Sequence, residues 1–365
     1  MAAIKRGAYT IGSVAISAPT ALAPMEGITE RGFRTLIRSL GGCGLAVTEF
    51  VSSESLTRDV ARAWQTAEID PSEHPIAIQI YGRDPERMGD AARMCQDLGA
   101  DIVDINLGCP SKAVTSGCAG SALMRDPERA QQIFRAVGKA VERPFTVKMR
   151  LGWDQSSKNA AQIAVMAQGE GAQQVVVHGR TRADAYGGVA DWRAVAEVKA
   201  AVEVPVLVNG DILTAQDAVR ALEESGADGV MVGRGVLRNP WLLMQISQIL
   251  ANEPLVRPSL DDRLAVLLRY ITGQEERFDG NFKAVLSQVK RVTGYFTRGV
   301  PRSAQARDAL YRSTSLGEAK AALEGFFEEL KAAALEDAFD TVAAHEVDPR
   351  LRLGDSRSLQ RGLSE

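Results

Sequence analysis

Short apolar runs rich in β-favouring residues recur along the first two thirds of the chain, at 21–25, 45–49, 76–81, 102–107, 145–149, 175–178, 206–209 and 229–232. Between them apolar residues return at helical spacing, as at Met88, Ala92, Cys95 and Leu98, and glycines such as Gly99, Gly171 and Gly226 often follow the ends of these stretches. Eight strand-then-helix units predict an α/β fold, a (β/α)8 or TIM barrel, in preference to an open doubly wound sheet. Ahead of the first strand, Lys5 and Arg6 precede a mildly apolar stretch that Gly12, Ser13 and Ser17 interrupt. A short hairpin leading into the barrel is predicted there, not a signal peptide.

From about Asn252 the β pattern stops, and residues 260–330 read as helices with breaks at 279–281 and 299–301. The predicted organisation is a barrel over 1–250, a smaller C-terminal α-helical bundle domain over 251–340 and a flexible tail over 341–365, where composition turns polar and charged.

In a (β/α)8 barrel the functional residues sit where the strands end. Reading only those ends gives Pro24-Met25-Glu26-Gly27, Glu49-Phe50, Gln79 to Gly82, Asn106 to Pro110, Lys148 with Arg150, His178-Gly179-Arg180, Asn209-Gly210-Asp211 and Gly233-Arg234-Gly235. The opposite ends of the strands begin with small, apolar or ordinary loop residues. The asymmetry predicts a ligand site on the C-terminal face.

Charge decides less at the level of the whole chain, where the net is −3. It is unevenly spread, however: residues 281–316 hold Lys283, Lys290, Arg291, Arg298, Arg302, Arg307 and Arg312 against Asp308 alone. Tyr295, Phe296 and Tyr311 lie among these cations, an arrangement that can grip a phosphate backbone and stack unpaired bases, or equally a basic helix face with its aromatics in the core. The cysteines at 43, 95, 109 and 118 form neither a C-x-x-C metal pattern nor a disulfide framework, so no metal site is expected and a reducing, cytoplasmic setting is implied. No run approaches the roughly 20 apolar residues of a membrane span.

Three groups at the strand ends carry candidate chemistry. Cys109 follows a strand directly, with the amide of Asn106 three residues before it; a thiol there can donate a proton, or can be a half-buried structural residue. Lys148 and Arg150 share one face of the fifth strand and look into the mouth, where a lysine can hold the anionic edge of a reduced flavin. His178 ends the sixth strand, and Gln79 ends the third with an amide that can hydrogen-bond a heterocyclic edge. Asn209-Gly210-Asp211 and Gly233-Arg234-Gly235 fall on strands seven and eight, where barrels of this kind place a phosphate. No dinucleotide fingerprint is present in register, so a nicotinamide would visit the same open face transiently.

These strand ends resemble the flavin-dependent tRNA-dihydrouridine synthases of bacteria. The matching motifs are LAPMEGIT (22–29), TEFVSSE (48–54), QIYG (79–82), DINLGCPSKAV (104–114), VKMRLGWD (147–154), VVHGRT (176–181), ADW (190–192), VNGDI (208–212) and GVMVGRG (229–235). The loop after Cys109, with Ser111-Lys112, is similar to the C branch of that family, while Asn239-Pro240-Trp241 and the C-terminal layout are similar to the B branch. The resemblance implies an oxidoreductase that reduces a D-arm uridine of tRNA. FMN would be held by Pro24, Met25, Gln79, Lys148, His178, Asn209, Gly210, Asp211, Gly233 and Arg234, with NADPH or NADH as reductant. Hydride would pass from flavin N5 to uracil C6 while Cys109, as general acid, protonates C5. Asn106 would hold the uracil, Arg150 and Arg180 would face the substrate, and Lys290 and Arg291 would contact the tRNA. No protein partner is implied, and a monomer is expected. Two rival readings share parts of the pattern. An oxidoreductase acting on a free pyrimidine needs no basic helical domain, and a silent RNA-binding scaffold has no use for Cys109, Lys148 and His178 together.

Overall fold

The eight predicted strands close on themselves. In the computed structural model, which describes residues 7–278 and 281–339, an antiparallel hairpin of β1 (Tyr9–Ile11) and β2 (Val14–Ile16) comes first, turning at Gly12 with φ of +56°. The barrel then runs in chain order through β3 (Thr20–Leu22), β4 (Leu45–Val47), β5 (Val51–Ser52), β6 (Ile76–Tyr81), β7 (Ile102–Leu107), β8 (Phe145–Arg150), β9 (Val175–His178), β10 (Val206–Asn209) and β11 (Gly229–Val232), all parallel. Closure comes from β3, which pairs with β4 on one side and with β11 on the other, Val230 opposite Thr20.

Both faces of these strands are buried, for different reasons, which is why most of them read as continuous runs with no polar alternation. One face contributes Ala21, Leu45, Ala77, Ile102, Val176, Leu207 and Met231 to a single buried cluster completed by Ile11 and Ile16 of the hairpin. The alternate residues, among them Leu22, Ala46, Ile78, Val103, Val147, Val177 and Val208, join the larger cluster formed with the surrounding helices. Helix starts are set by side-chain caps, such as Asp84 before Pro85, Asp126 before Pro127, and the reciprocal Thr214 and Asp217 pair.

Two strands differ from the pattern reading. The first stops at Leu22 instead of reaching Met25, because Pro24 has no N–H to offer the ladder and the Met25 N–H goes to the Thr29 hydroxyl at 2.8 Å. The second, expected over 45–49, stops at Val47 as β4, and a further short strand, β5, follows after a break; both pair with β6. Thr48 bridges the break, its N–H donating to Ala77 O and its hydroxyl accepting the Gln79 N–H at 3.1 Å.

Past the helix Leu242–Ala251, Asn252 takes a left-handed conformation at φ of 59° and ends it. Four helices follow, Leu260–Arg277, Phe282–Phe296, Ser303–Arg312 and Leu316–Ala332, around a separate apolar cluster that includes Leu267, Val289, Phe296, Leu323, Phe326 and Phe327. The break expected at 299–301 lies between the second and third of them. Of that expected at 279–281, Asp279 and Gly280 lie outside the described residues, as do Lys5, Arg6 and the tail expected over 341–365. Among the described residues no helix is long and apolar enough to cross a membrane.

Candidate active site

The carboxyl ends of the strands open onto a cavity of about 720 Å³. Pro24 and Met25 enter it after β3, Asn106 from β7 and Cys109 just beyond, Lys148 and Arg150 from β8, and His178 from the end of β9. Asn209, Gly210 and Asp211 line it after β10, and Gly233 and Arg234 after β11. Four of the expected residues lie elsewhere. Gln79 is fully buried and does not line the cavity, and Arg180 is buried behind the wall. Lys290 and Arg291 sit on the helix Phe282–Phe296.

Cys109 is fixed through its backbone. Its N–H and that of Gly108 both donate to Asn106 Oδ1, at 2.9 and 3.0 Å, while its carbonyl accepts from the Ser121 hydroxyl at 2.7 Å. The oxygen of Asn106 is therefore committed to the loop, and its amide nitrogen donates to Gln79 Oε1 at 2.7 Å. Burial pushes the Cys109 thiol up to about 11, against a weaker pull downward from the Ser111 backbone, and the nearby carboxylate of Glu26 adds to the rise. Among the described residues all four cysteines are free, Cys43 and Cys95 buried and Cys118 exposed.

The cations are crowded together. Burial, and then the charge of Arg150, brings the Lys148 amine down to about 8; Nζ donates to Asn209 Oδ1 at 3.1 Å, and Asn209 in turn donates to Met231 O. Burial first, with Arg150 and Lys148 next, holds His178 well below the ordinary imidazole range, so it is neutral at pH 7. The Arg150 guanidinium donates to three carbonyls, those of Gly108, Thr181 and Ala185, at 2.8 to 2.9 Å. Arg180 forms a bidentate pair with Asp211 at 2.7 and 2.9 Å and ties down Gly187 O and Gly188 O. Both arginines thus shape the loop after β9 from beneath it.

That loop supplies a residue the strand-end reading missed. Tyr186 lines the cavity with the guanidinium carbons of Arg150 and Arg234 at 5.6 and 5.4 Å from its ring centroid. The aromatic in the segment Ala185 to Trp192 was the available signal. Glu26, read among the strand ends but given no role there, also lines the cavity. Burial raises its carboxyl above the usual range.

Beyond the rim, Arg291 reaches back to the barrel and donates to Gly27 O at 2.7 Å. Lys290 donates to Tyr311 O and Ser313 O, at the end of the helix Ser303–Arg312. The glycines also divide by role. A Cβ on Gly210 would meet the His178 ring at 2.7 Å, and one on Gly235 would meet Ile212 O at 2.4 Å, so both are required by the protein's own packing. At Gly233 it would make only ordinary contacts with Ala23 and Met25, leaving backbone open to the cavity.

The donor set fits an anionic ligand with a planar ring. Five cations, Lys112, Lys148, Arg150, Arg182 and Arg234, line the cavity against two carboxylates, Glu26 and Asp211, and Asp211 is already paired with Arg180 and Arg234. Lys148 and His178 are depressed first by burial and then by the neighbouring cations, and a phosphate or an anionic ring would relieve that second, electrostatic part. An FMN phosphate and ring meet these requirements. Among the described residues, no group of three or more His, Cys, Asp or Glu could hold a metal ion.

Comparison with known proteins shows the family. A probable tRNA-dihydrouridine synthase of Rickettsia bellii is 41% identical over 302 residues, covering 82% of this chain and 92% of its own. One from Rhodobacter capsulatus is 49% identical over 243 residues, 66% of this chain and 74% of its own. The tRNA-dihydrouridine synthase B of Xanthomonas axonopodis pv. citri is 38% identical over 321 residues, 88% and 96% of the two chains. Among solved structures, morphinone reductase superposes with a TM-score of 0.48 at 14% identity over 71% of this chain and 93% of its own, too remote to carry weight. The family model for dihydrouridine synthase (Dus) matches residues 21–334, nearly the whole of the barrel and the helices after it. The chain belongs to the dihydrouridine synthase family, and as such it is an oxidoreductase acting on a CH–CH bond.

Proposed function

We propose that this protein reduces uridine to dihydrouridine in the D arm of tRNA, with FMN bound in the barrel mouth and NADPH or NADH as the reductant. The observation that carries the reading is one cavity in which a protonated thiol, Cys109, stands among Lys148, His178 and Arg234. FMN, when bound, supplies hydride-transfer chemistry. Pro24, Met25, His178, Asn209, Gly210, Asp211, Gly233 and Arg234 would hold it, with Arg234 and the Gly233 backbone suited to its phosphate and Lys148 to its ring. A cation near the ring stabilises the negative charge of its reduced form.

The chain's own contribution to the chemistry is a proton at a defined atom. Cys109 Sγ keeps its proton at neutral pH and releases it to C5 of the uracil, where electron density gathers as C6 takes hydride. Asn106 keeps one amide proton for the base, and Tyr186 offers it a ring face. The barrel, 1–250, carries this site; the helical part, 251–340, carries the RNA surface, with Arg291 joining the two at Gly27. Incubating the purified protein with FMN, NADPH and unmodified tRNA, and digesting the RNA for mass spectrometry, should reveal dihydrouridine in the D arm. A colourless protein that takes up no flavin and leaves every uridine intact would remove the proposal.

A further inference from the structure

The tie that fixes Cys109 does not begin at Asn106. It begins two residues earlier, at a carboxylate with no place in the chemistry above. Asp104 is 2% exposed and faces the inside of the barrel, where the register sets it beside Gln79 of β6 and Thr146 of β8. Thr146 Oγ1 donates to one of its oxygens at 2.5 Å and Gln79 Nε2 to the other at 2.6 Å. Asn106 Nδ2 donates to Gln79 Oε1 at 2.7 Å, and Asn106 Oδ1 takes the N–H groups of Gly108 and Cys109.

Each link has only one workable direction. A carboxylate has no proton to give, so Gln79 must turn its NH2 toward Asp104 and its oxygen toward Asn106. Asn106 must then turn its own NH2 toward Gln79, which leaves its oxygen for the loop. We propose that Asp104 is a positioning residue which, by accepting only, sets the direction of two buried side-chain amides and so aims the Asn106 oxygen at the Cys109 backbone. With an amide at 104 the same contacts could run backwards: the new NH2 to Gln79 Oε1, Gln79 Nε2 to Asn106 Oδ1, and the Cys109 N–H released. Burial raises the Asp104 carboxyl, while the hydrogen bonds from Gln79 and Thr146 and the charge of Lys148 favour its ionised form. The relay is independent of any ligand; its consequence for turnover rests on the function proposed above.

The test is alkylation of Cys109 by iodoacetamide in the full-length protein without tRNA, followed across pH by peptide mass spectrometry, which separates Cys109 from the exposed Cys118. In D104N the loop loosens, the thiol meets water, and its titration midpoint falls toward the ordinary thiol range, so alkylation at pH 8 rises about tenfold or more. In D104N/Q79E the carboxylate at position 79 accepts from both neighbours, Asn106 is again forced to present its oxygen to the loop, and the wild-type profile returns. Dihydrouridine formation should follow the same order, falling in kcat in D104N with KM for tRNA little changed, and recovering in the double variant. An unchanged profile in D104N overturns the proposal, and so does a double variant that alkylates as fast as D104N. Should D104N not accumulate, D104N/Q79E decides alone, a slow wild-type profile supporting the relay and a fast one overturning it. If Cys109 proves not to be the proton donor, turnover data lose their meaning but the alkylation result still stands.

Discussion

At neutral pH the Cys109 thiol carries its proton because burial lifts its pKa to about 11. That is the property of an acid, not of a nucleophile, and it separates two roles a cysteine at a cavity mouth can play. Cys109→Ala should keep flavin uptake and NADPH oxidation while dihydrouridine formation falls at least a hundredfold, the scale of a lost general acid; undiminished product in digested tRNA would sink that role. Lys148 behaves oppositely. Its depressed pKa of about 8 means that the amine is charged below that pH and loses its charge as pH rises through it. An anionic ligand binds the charged form, so FMN affinity measured by fluorescence quenching should weaken about tenfold from pH 7 to pH 9 if the bound amine stays protonated. Lys148→Met should bind more weakly at pH 7 and lose this slope. A slope as steep in the variant as in the wild type would assign the titration to another group.

The loop carrying Met25 is held by an element beneath it. Arg34, 1% exposed on the helix Arg31–Ser39, pairs with the fully buried Glu73 at 2.7 and 3.0 Å and also donates to Thr29 O, and Thr29 in turn binds both the N–H and the carbonyl of Met25. Arg34→Met leaves a buried carboxylate without its partner and should cost about 3–5 kcal/mol in urea unfolding. Adding Glu73→Met should recover most of that loss; a double variant as unstable as the single would mean that Arg34 acts through packing alone. None of this was legible in the sequence, since a helix arginine reads as surface. The strands were legible because both faces of each are buried, and the barrel followed from their number. Cross-strand chemistry was not. The break at Thr48 depends on the Gln79 N–H, and the commitment of Arg150 and Arg180 depends on carbonyls and a carboxylate that only the closed barrel brings near. The strand-end reading therefore gathered most residues of one cavity correctly in space, while assigning to ligands several groups that the protein uses itself.

For the whole molecule, the basic stretch 281–316 divides once its partners are known. Arg291 and Lys290 bind backbone carbonyls, one at the barrel loop and one at a helix end, so changing them alters the frame as well as the surface. Lys283 and Arg302 are exposed, and reversing them tests the electrostatics alone. An RNA contact of this kind displaces condensed counterions, and each lost phosphate contact lowers the slope of log affinity against log salt by about 0.7 to 0.9. In K283E/R302E, tRNA affinity measured by fluorescence anisotropy should fall most at low KCl, with a slope smaller by about 1 to 2, and the variant and wild-type curves should converge as salt rises. K290E/R291E should weaken binding too, but with a lower melting temperature, because it breaks the joint at Gly27 and the cap at Tyr311 and Ser313. Parallel salt curves for K283E/R302E and the wild type would mean that the tRNA does not lie across these helices, and that the Arg291 bridge serves only to hold the two parts of the chain together.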